Sequence, residues 1–487
     1  MRAGVITVAA ALGLDEVAGR LPADLLIAVD TGGAALDAST VAVSDVHHDS
    51  RRVVPGSLFA CLVGAHHDGH DHAAEALERG AVALLVERRL AVDVPQIVVT
   101  DARTAMAHAA RTVHGDPATR LLMVGITGTN GKTTVAHLLG HVLASAGHDV
   151  EVIGTLSGPR TTPESTDLHR GLARSVEEGR TAVVMEVSSH ALTLDRVLGI
   201  RFDLSVFTNL GRDHLDLHGS TEEYFRAKAQ LFAADACQRA LVNSDDLHGR
   251  LLLDGAAVPT LAFSADEASE VAVGVTETAF VWRSQSVRLP MGGAVNMQNA
   301  IAALDAADLL GVDPAVSASA LADCPPAPGR FEPVVGADGE SPVVVVDYAH
   351  TPDALTRLIE GAREAAPGAR CTVVIGCGGG RDREKRPEMG RAALLADAVV
   401  LTSDNPRGEA PEDILSDMLS GMTEGERAGV VVEVDRAEAI GRAIRAAGPG
   451  EMVLIAGKGH ETTQERNGEI HHFDDREVAR AVLGVDR

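Results

Sequence analysis

The sequence predicts an α/β protein of three domains, each built on a sheet of mostly parallel strands flanked by helices. Three observations carry this. The chain is 487 residues long, enough for about three domains of ordinary size. Short runs rich in valine, leucine and isoleucine alternate with helical patterns, as βαβ units do. Those runs end repeatedly in glycine-rich or polar loops, where an open parallel sheet places its ligands.

Residues 1–119 read as a small α/β domain. The opening stretch Met1 to Leu12 mimics a short signal peptide, but Asp15 and Glu16 follow at once and no cleavage pattern is clear. An amphipathic first helix is therefore expected. Val41 to Val46 reads as one strand, Pro55-Gly56 as a turn and Ser57 to Val63 as a second strand, with Asp49-Ser50-Arg51 between them. His66, His67, His70 and His72 invite a zinc site, but their spacing shows no alternating ligand pattern. A polar loop opening a helix over Ala73 to Arg79 is the expectation.

Residues 120–329 form the central domain. An apolar run, Leu121 to Val124, leads into Gly125-Ile-Thr-Gly-Thr-Asn-Gly-Lys-Thr-Thr134, and a helical pattern follows from Val135 to Leu143. Strand, glycine loop and helix together are what a phosphate-binding loop needs. Glycines let backbone N–H groups turn toward an anion, and the helix N-terminus adds a positive dipole. Lys132 is expected to reach the outer phosphates and Thr133 to place a hydroxyl on Mg²⁺. The first glycine, Gly125, stands one position earlier than the strict pattern asks. Thr181 to Met185 and Phe202 to Thr208 read as strands, the first leading to Glu186 and the second to Asn209 and His214. Both ends should face the glycine loop, so Glu186 and His214 are candidate Mg²⁺ ligands. In the next helix Tyr224, Lys228 and Leu231 share one stripe. A lysine there either reaches its amine out to water, the plainer expectation, or is buried with a lowered pKa. A neutral amine can also take up CO₂ as an anionic carbamate.

Residues 330–487 follow a proline-rich linker, Cys324 to Arg330, and read as a third, Rossmann-like α/β domain. Its strand ends carry Asp347-Tyr-Ala-His350, Gly376 to Arg383, Asp404-Asn405-Pro406-Arg407 and Gly457-Lys458-Gly459-His460-Glu461. All should converge on one edge, and Arg381 and Arg407 there suit a ligand bearing carboxylates.

The formal net charge of −26 argues against nucleic acid or an anionic membrane as partner. Aromatic residues are only 2% of the chain, so base-stacking platforms are not expected either. Five scattered cysteines indicate no disulfide framework, which fits a reducing cytoplasm. No apolar run is long enough to span a bilayer.

Assembled in order, these motifs resemble the Mur ligases, the ATP-dependent amino-acid ligases of peptidoglycan precursor synthesis. The resemblance rests on Gly128 to Thr134, Met185 to His190, Phe207 to Asp216, Tyr224 to Lys228, Asp347 to Pro352 and Gly457 to Glu461, and runs over nearly the whole chain. It implies ATP and Mg²⁺ as cofactors, and an N-terminal domain that holds a UDP-N-acetylmuramoyl-dipeptide acceptor. Gly128, Thr129, Asn130, Gly131, Lys132, Thr133, Thr134, Asn299, Arg330, Asp347 and His350 would meet the nucleotide. Ser50, Thr161, Thr162, Ser188 and Arg196 would hold the acceptor. Thr133, Glu186, His214 and a carbamylated Lys228 would serve the metal, with Lys132, Lys228, His214 and Asn209 in catalysis. Asp404, Asn405, Pro406 and Arg407, with Arg381, Gly457 and Glu461, resemble the pocket of members that add meso-diaminopimelate rather than L-lysine. Partners would be small-molecule substrates alone, with the chain a monomer. The competing readings are a folylpolyglutamate-type ligase, a related Mur-like ligase using L-lysine or another acceptor or amino acid, and an ATP-hydrolysing switch; the Asp-Ser-Arg domain argues against the first, and Arg381, Arg407 and Glu461 argue against the last. The chain departs from the family in a short segment from Gly154 to Thr161, in Arg160, Leu194 and Gly211, and in a shortened stretch at 263–295.

Overall fold

The computed structural model describes residues 11–31, 37–64, 67–211, 213, 215–336 and 341–485. The expectations at His66 and His214 fall outside them, as does most of the stretch from Met1 to Leu12. The first helix described is Leu14–Gly19, with Asp15 and Glu16 in its first turn, where acidic side chains complement the helix dipole.

Three sheets of five, six and six strands organise the chain. The first runs in the order Leu26–Asp30, Gln96–Val99, Ala81–Val86, Ser57–Ala60, Asp45–His47. Its pairings are parallel except at the Leu26–Asp30 edge. The single strand expected over Val41 to Val46 is broken. Ser44 donates its N–H to Gly56 O at 2.9 Å. Ala42–Val43 before it pairs antiparallel with Leu12–Gly13, while Asp45–His47 after it joins the sheet. His70 is buried, its Nδ1 2.6 Å from Asp68 Oδ1 and its Nε2 accepting from Glu87 N, and the helix Ala73–Glu78 follows.

The central sheet is wholly parallel, in the order Thr260–Phe263, Ala240–Asn243, Leu204–Phe207, Leu122–Thr127, Ala182–Glu186, Val150–Ile153. The strand that enters the glycine loop therefore lies inside the sheet, flanked by the strands carrying Glu186 and Asn209. One face packs on the helices Lys132–Ser145, Ala294–Leu309 and Pro314–Ala322 in a single apolar cluster. The shortened stretch at 263–295 holds a three-stranded antiparallel meander, Ala268–Val273, Thr278–Trp282 and Gln285–Leu289, which the sequence reading did not foresee. Trp282 is fully buried there and donates to Asp305 Oδ1 at 3.1 Å.

In the third sheet Glu332–Val334 pairs antiparallel with Val343–Asp347. Met452–Ala456, Cys371–Ile375, Ala398–Leu401 and Val430–Val432 then follow in parallel. The four strands expected to end in polar loops are thus neighbours, and their loops share one edge. A hairpin, Thr463–Arg466 with Glu469–His472, closes over that edge. Among the described residues no helix is long and apolar enough to cross a membrane.

Candidate active site

The glycine loop turns at two places that only glycine tolerates. Gly128 has φ +150° and Gly131 φ +86°; a Cβ would stand 1.9 Å from Thr208 Oγ1 at the first and 2.5 Å from Asn299 Oδ1 at the second. Asn209 sets the shape of the loop. Its carbonyl accepts from Thr129 N at 2.8 Å, its Oδ1 accepts from Asn130 N at 3.0 Å, and its Nδ2 donates to Asn130 O at 3.2 Å. The helix Lys132–Ser145 starts at once behind the loop, with Gly131 as its N-cap residue and no side chain over its first N–H groups. That leaves donors and the positive helix end aimed at an anion.

Lys132 is the first residue of that helix. It is half-buried and folds back, donating to Gly128 O at 2.9 Å and Thr129 O at 3.1 Å, and burial lowers its pKa. Lys228 corrects the plainer expectation. Its side chain does not reach water: it is 1% exposed. Its Nζ donates to Gly128 O at 2.9 Å and stands 4.5 Å from the centre of the Tyr224 ring. Burial first, and the Lys132 charge second, push its pKa well below the ordinary lysine value.

Glu186 is the second hub and is 2% exposed. Its Oε2 accepts from Thr133 Oγ1 at 2.9 Å and its Oε1 from Thr155 N at 2.8 Å. Thr155 and Thr161 share a hydroxyl contact of 3.0 Å, and Thr162 donates to Glu186 O at 2.9 Å. Ser188 N donates to Thr162 Oγ1 at 3.1 Å, and Arg196 donates to Thr162 O at 3.2 Å. Thr162, Ser188 and Arg196 are therefore one hydrogen-bonded cluster beside Glu186, and Thr161 joins Glu186 through Thr155. Ser50 is not bonded into it; its hydroxyl donates to Glu75 Oε2 at 2.7 Å within the first domain.

Between the central and third sheets lies a cavity of about 300 Å³, lined by Asn130, Gly131, Asn299, Arg330 and Asp347, among others. Thr134 lines it as well. Arg330 stacks on the Tyr348 ring at 4.5 Å and donates to Thr133 Oγ1 at 3.4 Å, tying the linker to the phosphate loop. Asp347 accepts from Phe331 N at 2.7 Å and Ala349 N at 2.8 Å, while burial raises its pKa. His350 stands apart from this lining, with its ring 4.6 Å from that of Tyr348. Phe331, Arg357, Asn243 and Asn296 also line the cavity and were missed from sequence. Asn243 ends the strand Ala240–Asn243, and a polar residue at a strand end is the signal that could have found it.

A second cluster forms at the third sheet. Asp404 and Asn405 are 8% exposed, and a Cβ on Gly457 would lie 2.9 Å from Asp404 Oδ2. Asn405 Nδ2 donates to Glu461 Oε2 at 2.9 Å. Pro406 carries the chain into Arg407, which has φ +52° and donates to Gly379 O at 2.8 Å, beside Glu465 at 3.4 Å. Arg381 is exposed at the rim; its Cγ and the Arg407 guanidinium both come within 4 Å of a Cβ built on Gly378. Asp404, Asn405, Gly457 and Glu461 are thus brought together, with Arg407 held beside them on the Gly378–Gly379 turn.

Three family models match the chain in succession. They are described as "Mur ligase family, catalytic domain" over residues 42–114, "Mur ligase middle domain" over 126–307 and "Mur ligase, glutamate ligase domain" over 329–459. The chain is 44% identical over 461 residues to the UDP-N-acetylmuramoyl-L-alanyl-D-glutamate--2,6-diaminopimelate ligase of Geobacillus thermodenitrificans, covering 89% of this chain and 94% of that one. It is 42% identical over 481 residues to the Streptomyces avermitilis protein of the same name, covering 93% and 94%. A solved structure of a ligase of that name aligns over 97% of this chain and 99% of its own, with a TM-score of 0.67 and 32% identity. MurF ligase from Thermotoga maritima, solved with ADP, shares the fold at 21% identity and a TM-score of 0.62, covering 90% of this chain and 96% of that one.

Proposed function

The chain belongs to the Mur ligase family, and on that premise we propose that it adds meso-diaminopimelate to UDP-N-acetylmuramoyl-L-alanyl-D-glutamate at the expense of ATP. The product is an amide, with ADP and phosphate released. The features that support the choice of amino acid are Asp404 against Gly457, Asn405 bonded to Glu461, and Arg407 on the adjoining Gly379 turn. A guanidinium and a carboxylate on one loop edge suit a far end that bears both a carboxylate and an ammonium.

The division of labour follows the three sheets. Residues 1–119 with Ser50 hold the UDP-sugar end of the acceptor. Thr161, Thr162, Ser188 and Arg196 hold its peptide end. Residues 120–329 hold ATP through the loop Gly128 to Thr134, and the cavity at Asn299, Arg330 and Asp347 takes the rest of the nucleotide, with His350 nearby. Residues 330–487 present the amino acid.

Thr133 Oγ1 and Glu186 Oε2 are hard oxygen donors 2.9 Å apart beside the phosphate loop, a donor set that fits Mg²⁺. When bound there, the ion would offset charge between nucleotide and acceptor. The D-glutamyl carboxylate attacks the γ-phosphorus of ATP, the bond to ADP breaks, and an acyl phosphate forms. Lys132 leaves the Gly128 and Thr129 carbonyls to meet the phosphates and stabilises the charge of the transferring group. The amino group of diaminopimelate, having lost a proton, then attacks the acyl carbon, and phosphate departs with the C–O bond pair. Asn209 holds the loop in shape throughout, and Lys228, as its carbamate, turns a like charge beside Lys132 into an opposite one. His214 remains part of this proposed set on the family resemblance. Most of the rate enhancement comes from holding three substrates in register and excluding water. The chain works as a monomer in the cytoplasm, which light scattering and fractionation test.

The decisive experiment supplies ATP, the UDP-dipeptide and single amino acids, and reads products by mass spectrometry. Phosphate release that requires both acceptor and diaminopimelate supports the proposal. Release without acceptor, or with L-lysine preferred, rejects it.

A further inference from the structure

Lys458 lies in the loop Gly457 to Glu461 and is turned inward. Both neighbours have left-handed backbone, Gly457 at φ +110° and Gly459 at φ +52°. A Cβ on Gly459 would stand 2.7 Å from Gly329 O, so the loop is pressed against the interdomain linker and the lysine faces the protein interior. Its side chain is fully buried.

The ammonium joins three segments. It donates to Thr463 O of the closing hairpin at 2.6 Å, to Glu461 Oε2 at 3.1 Å and to Asn405 Oδ1 at 3.4 Å. Asn405 Oδ1 also accepts from Glu465 N at 3.0 Å. With two donors on its oxygen, the Asn405 amide has one orientation, and its Nδ2 must point to Glu461 Oε2, 2.9 Å away. Glu461 Oε2 thus receives two donors. Its Oε1 has no bonded partner among the described residues, and the side chain is 33% exposed.

We propose that Lys458 is a specificity-determining positioning residue that sets both the geometry and the charge of the amino-acid site; the inference rests on the diaminopimelate reading above. Lys458 occupies one oxygen of Glu461 and leaves the other for the ligand ammonium. It also balances one of the carboxylates at the site, Asp404, Glu461 and the Glu465 beside Arg407. The far end of meso-diaminopimelate is a zwitterion, whereas the far end of L-lysine is a single cation. Removing the Lys458 charge makes the pocket one unit more negative and moves its preference toward the cation. A buried lysine without this role would affect all three substrates alike.

The test compares wild type, Lys458→Met, Glu461→Gln and the double variant, measuring KM for ATP and kcat/KM for meso-diaminopimelate and L-lysine. Lys458→Met is expected to raise KM for diaminopimelate about tenfold or more, to lower the diaminopimelate-to-lysine ratio about tenfold, and to leave KM for ATP within about twofold. Because Lys458 acts through Glu461, adding Lys458→Met to Glu461→Gln should cost less than about threefold more. An unchanged ratio, a uniform rise in KM for all substrates, or effects that multiply in the double variant overturn the inference. Lys458→Gln, which keeps a donor of similar reach, is judged by the same ratio if the methionine variant does not fold. A wild-type enzyme that ignores diaminopimelate would instead sink the functional reading, a distinguishable result.

Discussion

Lys132 and Lys228 converge on one atom: each donates its Nζ to the carbonyl oxygen of Gly128 at 2.9 Å. Two amines meeting on one acceptor repel if both are protonated. Lys228 is the one that yields, since it is almost fully buried and Lys132 adds to the penalty on its charged form.

A lysine with its pKa lowered in the fold binds fewer protons there than in the unfolded chain. Between the depressed value and the ordinary 10.5, the unfolded state is favoured by protonation, so stability rises with pH across that window and the amine costs stability at neutral pH. Lys228→Met is therefore expected to raise the melting temperature in bicarbonate-free buffer while lowering ligation by about a thousandfold or more. Bicarbonate should raise the melting temperature of wild type alone, as the amine becomes a carbamate. Equal responses of both proteins to bicarbonate would count against the carbamate.

Lys132→Ala removes the amine proposed to meet the phosphates and leaves Gly128 O with Lys228 as its donor. Folding should be little changed, since Lys132 bonds only to carbonyls of its own loop. Ligation should fall by about two to three orders of magnitude, the usual loss for one preorganised charge. A folded variant that turns over normally would remove the nucleotide from this loop.

His169, in the helix Ser165–Glu177, is fully buried and is held down at about 4, first by burial and then by the His114 charge. Its folded pKa lies below the unfolded 6.5, so stability is lost as pH falls from 6.5 to about 4. A shift of that size corresponds to roughly 3 kcal/mol. His169→Leu should flatten the acid limb of a denaturation profile measured across those pH values. A limb as steep as wild type would show that other groups drive it.

Arg407→Ala should remove most of the preference for meso-diaminopimelate over L-lysine. The ligand carboxylate loses a partner that is held in place by Gly379 O and flanked by Glu465, a loss of roughly 2–5 kcal/mol for a paired charge left alone. The ratio of kcat/KM values reads this directly, and a variant with the full preference would place the selective contact elsewhere.

The parts of the fold legible in the sequence are those where one local pattern suffices. Gly125 to Thr134 announced strand, loop and helix, and the four apolar runs of the third domain announced strands with their loops on one edge. What stayed hidden depends on tertiary packing. A lysine on an apolar stripe reads the same whether it reaches water or, like Lys228, is enclosed. Asn209 looked like a group for chemistry, yet three of its bonds shape the loop. The break at Ser44 is imposed by Gly56, twelve residues on. The meander from Ala268 to Leu289 was missed although Thr278–Trp282 alternates buried and half-buried positions, because its neighbours carry exposed charges such as Glu270 and Arg288. Lys458 sits between glycines that suggest only a turn.

What the wild-type protein joins tests the proposed activity most directly. Purified enzyme, ATP and UDP-N-acetylmuramoyl-L-alanyl-D-glutamate are incubated with equal meso-diaminopimelate and L-lysine, and the tripeptide products are weighed. The diaminopimelate product should dominate by about tens- to thousands-fold, with one ADP formed per amide. A dominant lysine product, or ADP formed without any amide, would contradict it.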